Sequence, residues 1–228
     1  MNINRLANED NFLDNPTPRV PIILCLDVSG SMGGRPVDEM NEGIRLFYEA
    51  LQEDETARYA ADVAVVAFNS AAECVSDFHG IDSGTVPEVG VPEGGTDMGA
   101  GIRLSLDLLE ARKAEYDHAG IDSYKPWMVL MTDGQPNGDE EELKSSIERA
   151  RALVQRKALT VFPIGIGGGA DMDMLRRLSD PRPPLRLKGL KFREFFAWLS
   201  QSVSSVSQSM PGEEVQLDVE GMKNWATL

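Results

Sequence analysis

Pro21-Ile22-Ile23-Leu24-Cys25-Leu26-Asp27-Val28-Ser29-Gly30-Ser31 is the stretch of this sequence that decides its fold. Its first half is apolar without polar alternation and carries β-branched residues, the pattern of a strand covered on both faces. The turn directly behind it holds one carboxylate and two hydroxyls. Such a set is half of a hard-metal site. Mg²⁺ prefers about six oxygen ligands at roughly 2.0–2.1 Å and keeps several waters, so one or two carboxylates with neutral hydroxyls suit it better than a cage of carboxylates.

Three further apolar runs, Val63–Phe68, Met128–Met131 and Leu159–Ile164, read as strands of the same kind. Between them, apolar residues recur at helical spacing: Val37, Met40, Ile44, Phe47 and Leu51; Ile102, Leu106 and Leu109, with Ser105 on the same face; Leu143, Ile147, Ala150 and Val154. The alternation predicts an α/β fold: one doubly wound, Rossmann-like, mostly parallel sheet with helices on both faces. Pro36 opens the first helix and Asp139-Glu140-Glu141-Glu142 the third, at the end where a fixed φ and negative charge are favoured. Ala72–Phe78 reads as a single antiparallel edge strand, reached from Val63–Phe68 through Asn69-Ser70-Ala71.

Residues 79–96 form a polar loop marked by Gly and Pro, and Leu185–Leu187 is a weak strand. A last helix carries Phe192, Phe195, Phe196, Leu199, Val203 and Val206 on one face; core packing is the commoner use of such a face, a partner-binding stripe the rarer. The domain is expected over residues 19–208, between a polar N-terminal arm (1–18) and a polar C-terminal tail (209–228), neither with a clear period.

Two more oxygen donors fall at expected strand ends: Thr96 in Gly94-Gly95-Thr96-Asp97, and Asp133 in Thr132-Asp133-Gly134. Open α/β sheets bind ligands outside the carboxyl ends of their strands, at the switch point of the topology. Each residue alone reads as an ordinary turn or cap residue. Asp27, Ser29, Ser31, Thr96 and Asp133 together argue for a divalent cation, Mg²⁺ first, with Mn²⁺ or Ca²⁺ as alternatives. Asp97 is read as the cap of the helix that follows.

The pattern Asp27-x-Ser29-x-Ser31, a threonine in a Gly-Gly-Thr loop, and Thr-Asp-Gly after an apolar strand resembles the metal-ion-dependent adhesion site (MIDAS) of von Willebrand factor A (vWA) domains. The resemblance runs from about Arg19 to about Met210. Leu130-Met131-Thr132-Asp133-Gly134-Gln135-Pro136 and Phe195-Phe196-Ala197-Trp198-Leu199 look like the TerY-like branch of bacterial tellurium-resistance proteins. The resemblance implies that Ser29 and Ser31 are direct hydroxyl ligands, that Thr96 ligates from a loop whose position can vary, and that Asp27 and Asp133 ligate directly or through water. It further implies a protein partner that supplies a carboxylate to the metal, and a bacterial stress or tellurite-resistance setting in which that partner is a kinase or phosphatase.

Charge and motif content narrow the alternatives. With 37 acidic against 22 basic residues among 228, the chain carries a net charge of −15, which repels phosphate backbones and argues against nucleic acid as a partner. The N-terminus lacks the apolar core of a secretory signal and no run approaches the ~20 apolar residues of a membrane span, so a cytoplasmic location away from membranes is expected. Cys25 and Cys74 read as two small buried hydrophobes, with a disulfide open only if their strands are neighbours.

Gly165-Ile166-Gly167-Gly168-Gly169-Ala170 fits G-x-G-x-x-A, but it follows a late strand and has no acidic residue near Leu185–Leu190 to hold a ribose, so it reads as a loop. No G-x-x-x-x-G-K-[ST] occurs. A phosphatase-like hydrolase using the same metal is the rival function, yet aspartyl-phosphate chemistry needs a second aspartate two residues after the first, and that residue is Ser29. His79 and His118 have no metal-like spacing and no serine sits in a nucleophile elbow, so catalysis is not expected. A subunit of an AAA+ or chelatase-type complex is the third reading.

Overall fold

A computed structural model describes residues 15–81, 85–179, 182–213 and 215–227. The chain begins with β1 (Val20–Asp27), a 3₁₀ turn (Gly30–Met32), α1 (Arg35–Glu53), the short α2 (Ala57–Ala60), β2 (Ala61–Phe68) and β3 (Ala72–Gly80). It continues with α3 (Met98–Ala119), β4 (Trp127–Thr132), α4 (Glu140–Gln155), β5 (Thr160–Gly165), the short α5 (Met172–Arg176), β6 (Leu185–Leu187), α6 (Phe192–Ser207), the single-turn α7 (Val219–Met222) and β7 (Ala226–Thr227).

The strands form one sheet in the order β3-β2-β1-β4-β5-β6-β7. The four central strands and β6 run parallel; β3 and β7 are antiparallel to their neighbours. Winding therefore proceeds from β1 outward to β2 and then reverses across β1 to β4, which makes the carboxyl ends of β1 and β4 the switch point.

All eight side chains of β1 are buried, because they alternate between two cores. Ile22, Leu24 and Leu26 join the layer built by α1 and α6; Ile23 and Cys25 join the layer built by α3 and α4. That division is why the strand shows no polar alternation. The layer over α1 depends on Gly43, whose added Cβ would come within 2.5 Å of Phe196 Cδ2, so α1 and α6 approach as closely as they do only because position 43 lacks a side chain. Asp97 caps α3 by accepting from the Ala100 N–H at 3.1 Å, and Asp139 caps α4 by accepting from Glu142 N–H at 2.7 Å.

The fold corrects several expectations. The sheet has two antiparallel edges instead of one, since β7 pairs with β6 from within the segment read as a structureless tail. Trp225, just before β7, is 2% exposed and packs its ring 5.3 Å from Phe195 and 5.6 Å from Trp198. A two-residue strand has no period to read, so the sequence offers no pattern there. One expectation stands: the aromatic face of α6 lies inside the core, the commoner use of such a face. The polar loop expected from residue 79 starts later, because β3 runs through Gly80; part of that loop, and most of the N-terminal arm, lies outside the described residues. Cys74 is exposed, not buried, and Val66 stands between it and Cys25 in the strand register. Two strand spacings, about 9.6 Å, separate the cysteines, too far for a disulfide.

Candidate metal centre

Asp27 ends β1 and is fully buried at the switch point. Its Oδ1 accepts the Ser29 N–H at 2.8 Å and its Oδ2 accepts the Thr132 hydroxyl at 2.5 Å, so both carboxylate oxygens are held. Burial pushes the Asp27 carboxyl above the usual carboxylate range; hydrogen bonds from Ser29 and Thr132 pull against this, and the nearby Asp133 charge adds to it. A buried carboxylate beside a second one, with no countercharge contributing to its balance, is the electrostatic situation that a cation relieves.

The backbone after Asp27 bends into the 3₁₀ turn, closed by Met32 N–H to Ser29 O at 2.9 Å and anchored by the fully buried Met32 side chain. This turn brings Ser29 Oγ to 3.1 Å from Ser31 Oγ. Ser31 in turn donates to Asp133 Oδ1 at 2.7 Å, across 102 residues of sequence, because Asp133 emerges from β4 beside β1.

Thr96 arrives on the loop ahead of α3. That loop is tied down by Glu93 N–H to Val28 O at 3.0 Å, Gly30 N–H to Gly94 O at 3.2 Å and Gly95 N–H to Ser70 Oγ at 2.8 Å. Asn137 clamps Thr96 itself, accepting its N–H at 2.7 Å and donating its own N–H to the Thr96 carbonyl at 3.0 Å. A Cβ on Gly134 would lie 3.6 Å from Thr96 Oγ1, which puts that hydroxyl against the residue after Asp133. Thr96 is 5% exposed.

All five residues singled out in the sequence thus stand on three adjoining loops at the carboxyl end of the sheet. Asp27, Ser29, Ser31 and Asp133 are linked by hydrogen bonds, and Thr96 flanks them. Sequence reasoning did not assign roles to Thr132, Asn137 or Ser70. Thr132 carried a signal, a hydroxyl ending an apolar strand; Asn137 and Ser70 are loop residues of ordinary type, and only tertiary contact reveals their work.

The donor set suits a hard divalent cation: two carboxylates and three hydroxyls, all oxygen. Among the described residues no three His, Cys, Asp or Glu side chains form a group able to hold a metal ion, so a cation at this site depends on the hydroxyls.

The von Willebrand factor type A domain family matches residues 22–191, a span that contains all five of these residues. The chain belongs to this family. An uncharacterized protein of Synechocystis is 26% identical over 173 residues, and inter-alpha-trypsin inhibitor heavy chain H2 of Sus scrofa 24% identical over 169, each alignment covering 73% of this chain. The chain spans only 37% and 17% of the length of these two relatives. Among solved structures, the pilus adhesin SpaC of Lactobacillus rhamnosus GG superposes with a TM-score of 0.65 at 16% identity, covering 83% of this chain and 31% of that one. The vWF domain of the type V pili tip protein Mfa5 of Porphyromonas gingivalis superposes at 0.57 with 12% identity, covering 88% of this chain and 99% of that one. At such identities the likeness is one of fold. No helix among the described residues of this vWA domain is long and apolar enough to cross a membrane.

Proposed function

We propose that this vWA domain is a protein-binding module whose contact with its partner passes through a divalent cation, Mg²⁺ in the first instance. The observation that carries the reading is the hydrogen-bonded group Asp27, Ser29, Ser31 and Asp133 at the switch point, with Thr96 beside it. Ser29, Ser31 and Thr96 would hold the ion through their hydroxyls. Asp133 keeps one oxygen beyond its bond to Ser31, whereas both oxygens of Asp27 already accept hydrogen bonds, which favours contact between Asp27 and the ion through water. The bound ion would supply a Lewis-acidic position open to an incoming carboxylate.

No enzymatic activity is part of this reading. Ser29 occupies the place where aspartyl-phosphate chemistry needs an acid, and its hydroxyl is engaged with Ser31. The finer setting, a bacterial stress or tellurite-resistance system with a kinase or phosphatase as partner, rests on the Leu130–Pro136 motif, since Phe195–Leu199 packs into the core and speaks to folding.

The test is capture of proteins from the native cell on immobilised domain in Mg²⁺ and in EDTA, beside Ser29→Ala. A partner retained only in Mg²⁺ by the parent, and lost by the variant, is expected. Equal capture by parent and variant in both buffers would remove the metal from the interaction.

A further inference from the structure

The amino end of the sheet carries a second feature, unrelated to the hydroxyl cluster. A cavity of about 520 Å³ opens at the amino ends of β4 and β5, beside Trp127 and Thr160. Each of those strands is six residues long, so the cavity sits roughly 17–20 Å from the carboxyl-end loops. Its volume falls in the usual range for small-molecule sites.

The lining is basic in a chain of net charge −15: Lys113, Lys125, Lys157 and Arg182 face it, against one carboxylate, Glu213, among the described lining residues. Several arginines elsewhere in this domain are matched with acids; Arg45, Arg103, Arg112 and Arg149 each pair with a carboxylate. Among the described residues Lys113, Lys125 and Arg182 have no such partner. The Arg182 guanidinium lies 4.8 Å over the Phe162 ring, which orients it while leaving its N–H donors to other acceptors. Glu213 is turned to its own backbone, accepting the Met210 N–H at 3.0 Å.

Lys157 adds an independent sign. It is the one non-glycine residue with positive φ (58°) among the described residues, at the position where α4 closes through Lys157 N–H to Val154 O at 2.9 Å and Ala158 N–H to Leu153 O at 2.8 Å. Glycine is the residue that fits such a helix end without strain. A lysine there keeps backbone strain in exchange for a cation at the cavity mouth, and strain of this kind gathers at binding sites.

We propose that this cavity binds a small polyvalent phosphate, of the diphosphate class. Several cations around one concave site suit a ligand with more than one negative charge, and Arg182 with three lysines matches phosphate oxygens. The ligand is a free small molecule that carries two linked phosphates.

Calorimetric titration of the full chain with inorganic pyrophosphate tests it, in metal-free buffer so that the hydroxyl cluster plays no part, with chloride balancing ionic strength. Saturable one-site binding is expected, weakened at least tenfold in Lys125→Gln/Arg182→Gln and tightened in Glu213→Gln. Lys157→Gly should bind more weakly while unfolding at a higher temperature, a combination that a purely structural lysine would not give. Absence of saturable binding, or an unchanged affinity in the double variant, overturns the proposal. A phosphoserine peptide bound more tightly than pyrophosphate overturns the diphosphate assignment; weaker binding than pyrophosphate supports it.

Discussion

Asp133→Ala gives the sharpest test of the switch-point cluster, because its effect should differ in size with and without metal. In metal-free buffer the substitution removes one acceptor from the exposed Ser31 hydroxyl and also removes a charge that disfavours ionised Asp27. These effects oppose each other, and a surface hydrogen bond is worth about 1 kcal/mol or less, so the metal-free variant should unfold within about 1 kcal/mol of the parent. With Mg²⁺ at 100 times its dissociation constant, binding to the native state alone adds about 2.7 kcal/mol to the parent; at roughly 2–4 °C per kcal/mol for a domain of this size, the midpoint should rise by roughly 5–11 °C. The variant should lose most of that increment, having given up one of two carboxylates. Paired thermal melts in EDTA and in Mg²⁺, with elemental analysis of the bound metal, measure both quantities. A parent that melts identically in the two buffers and carries no metal refutes the reasoning, as does a variant that keeps the full Mg²⁺ increment.

Three other outcomes are expected. Since burial raises the folded-state pKa of Asp27 above its unfolded value, the contribution of this group to metal-free stability is present at acid pH and lost as pH rises through the folded value; metal-free melts should show the parent losing ground to Asp27→Asn across that window, and the Mg²⁺ increment should shrink as pH falls. Trp225→Ala should cost about 3–5 kcal/mol by chemical denaturation, as for other core tryptophans, because its ring is packed among Phe195 and Trp198; a cost under about 1 kcal/mol would detach the C-terminal segment from the core. Native protein should react with a maleimide at Cys74 alone, because Cys25 is buried with its thiol pushed up to about 12 by desolvation, and mass spectrometry should find both thiols labelled only after unfolding.

The long strands and helices were legible because each shows a period, and because burial on both faces leaves a mark on composition that local propensity alone does not. Ile22–Leu26 could be only a covered strand once Asp27, Ser29 and Ser31 followed it, and the helical spacing of Val37 to Leu51 left one arrangement of layers. The hydroxyls and carboxylates were likewise visible, since they sit at strand ends where an α/β topology places ligands. What lay beyond the sequence was whatever depends on contact between distant segments. That Asp27 spends both oxygens inside the protein follows from Thr132 lying across from it on β4; that Thr96 is held by Asn137 follows from the meeting of two loops, and that Cys74 stands two strands from Cys25 follows from strand order. The C-terminal strand needed tertiary structure most of all. Two residues carry no periodicity, so β7 exists only because the exposed side of β6 and the aromatic pocket beside α6 accept Trp225 and Ala226, a gain in burial that no local pattern announces.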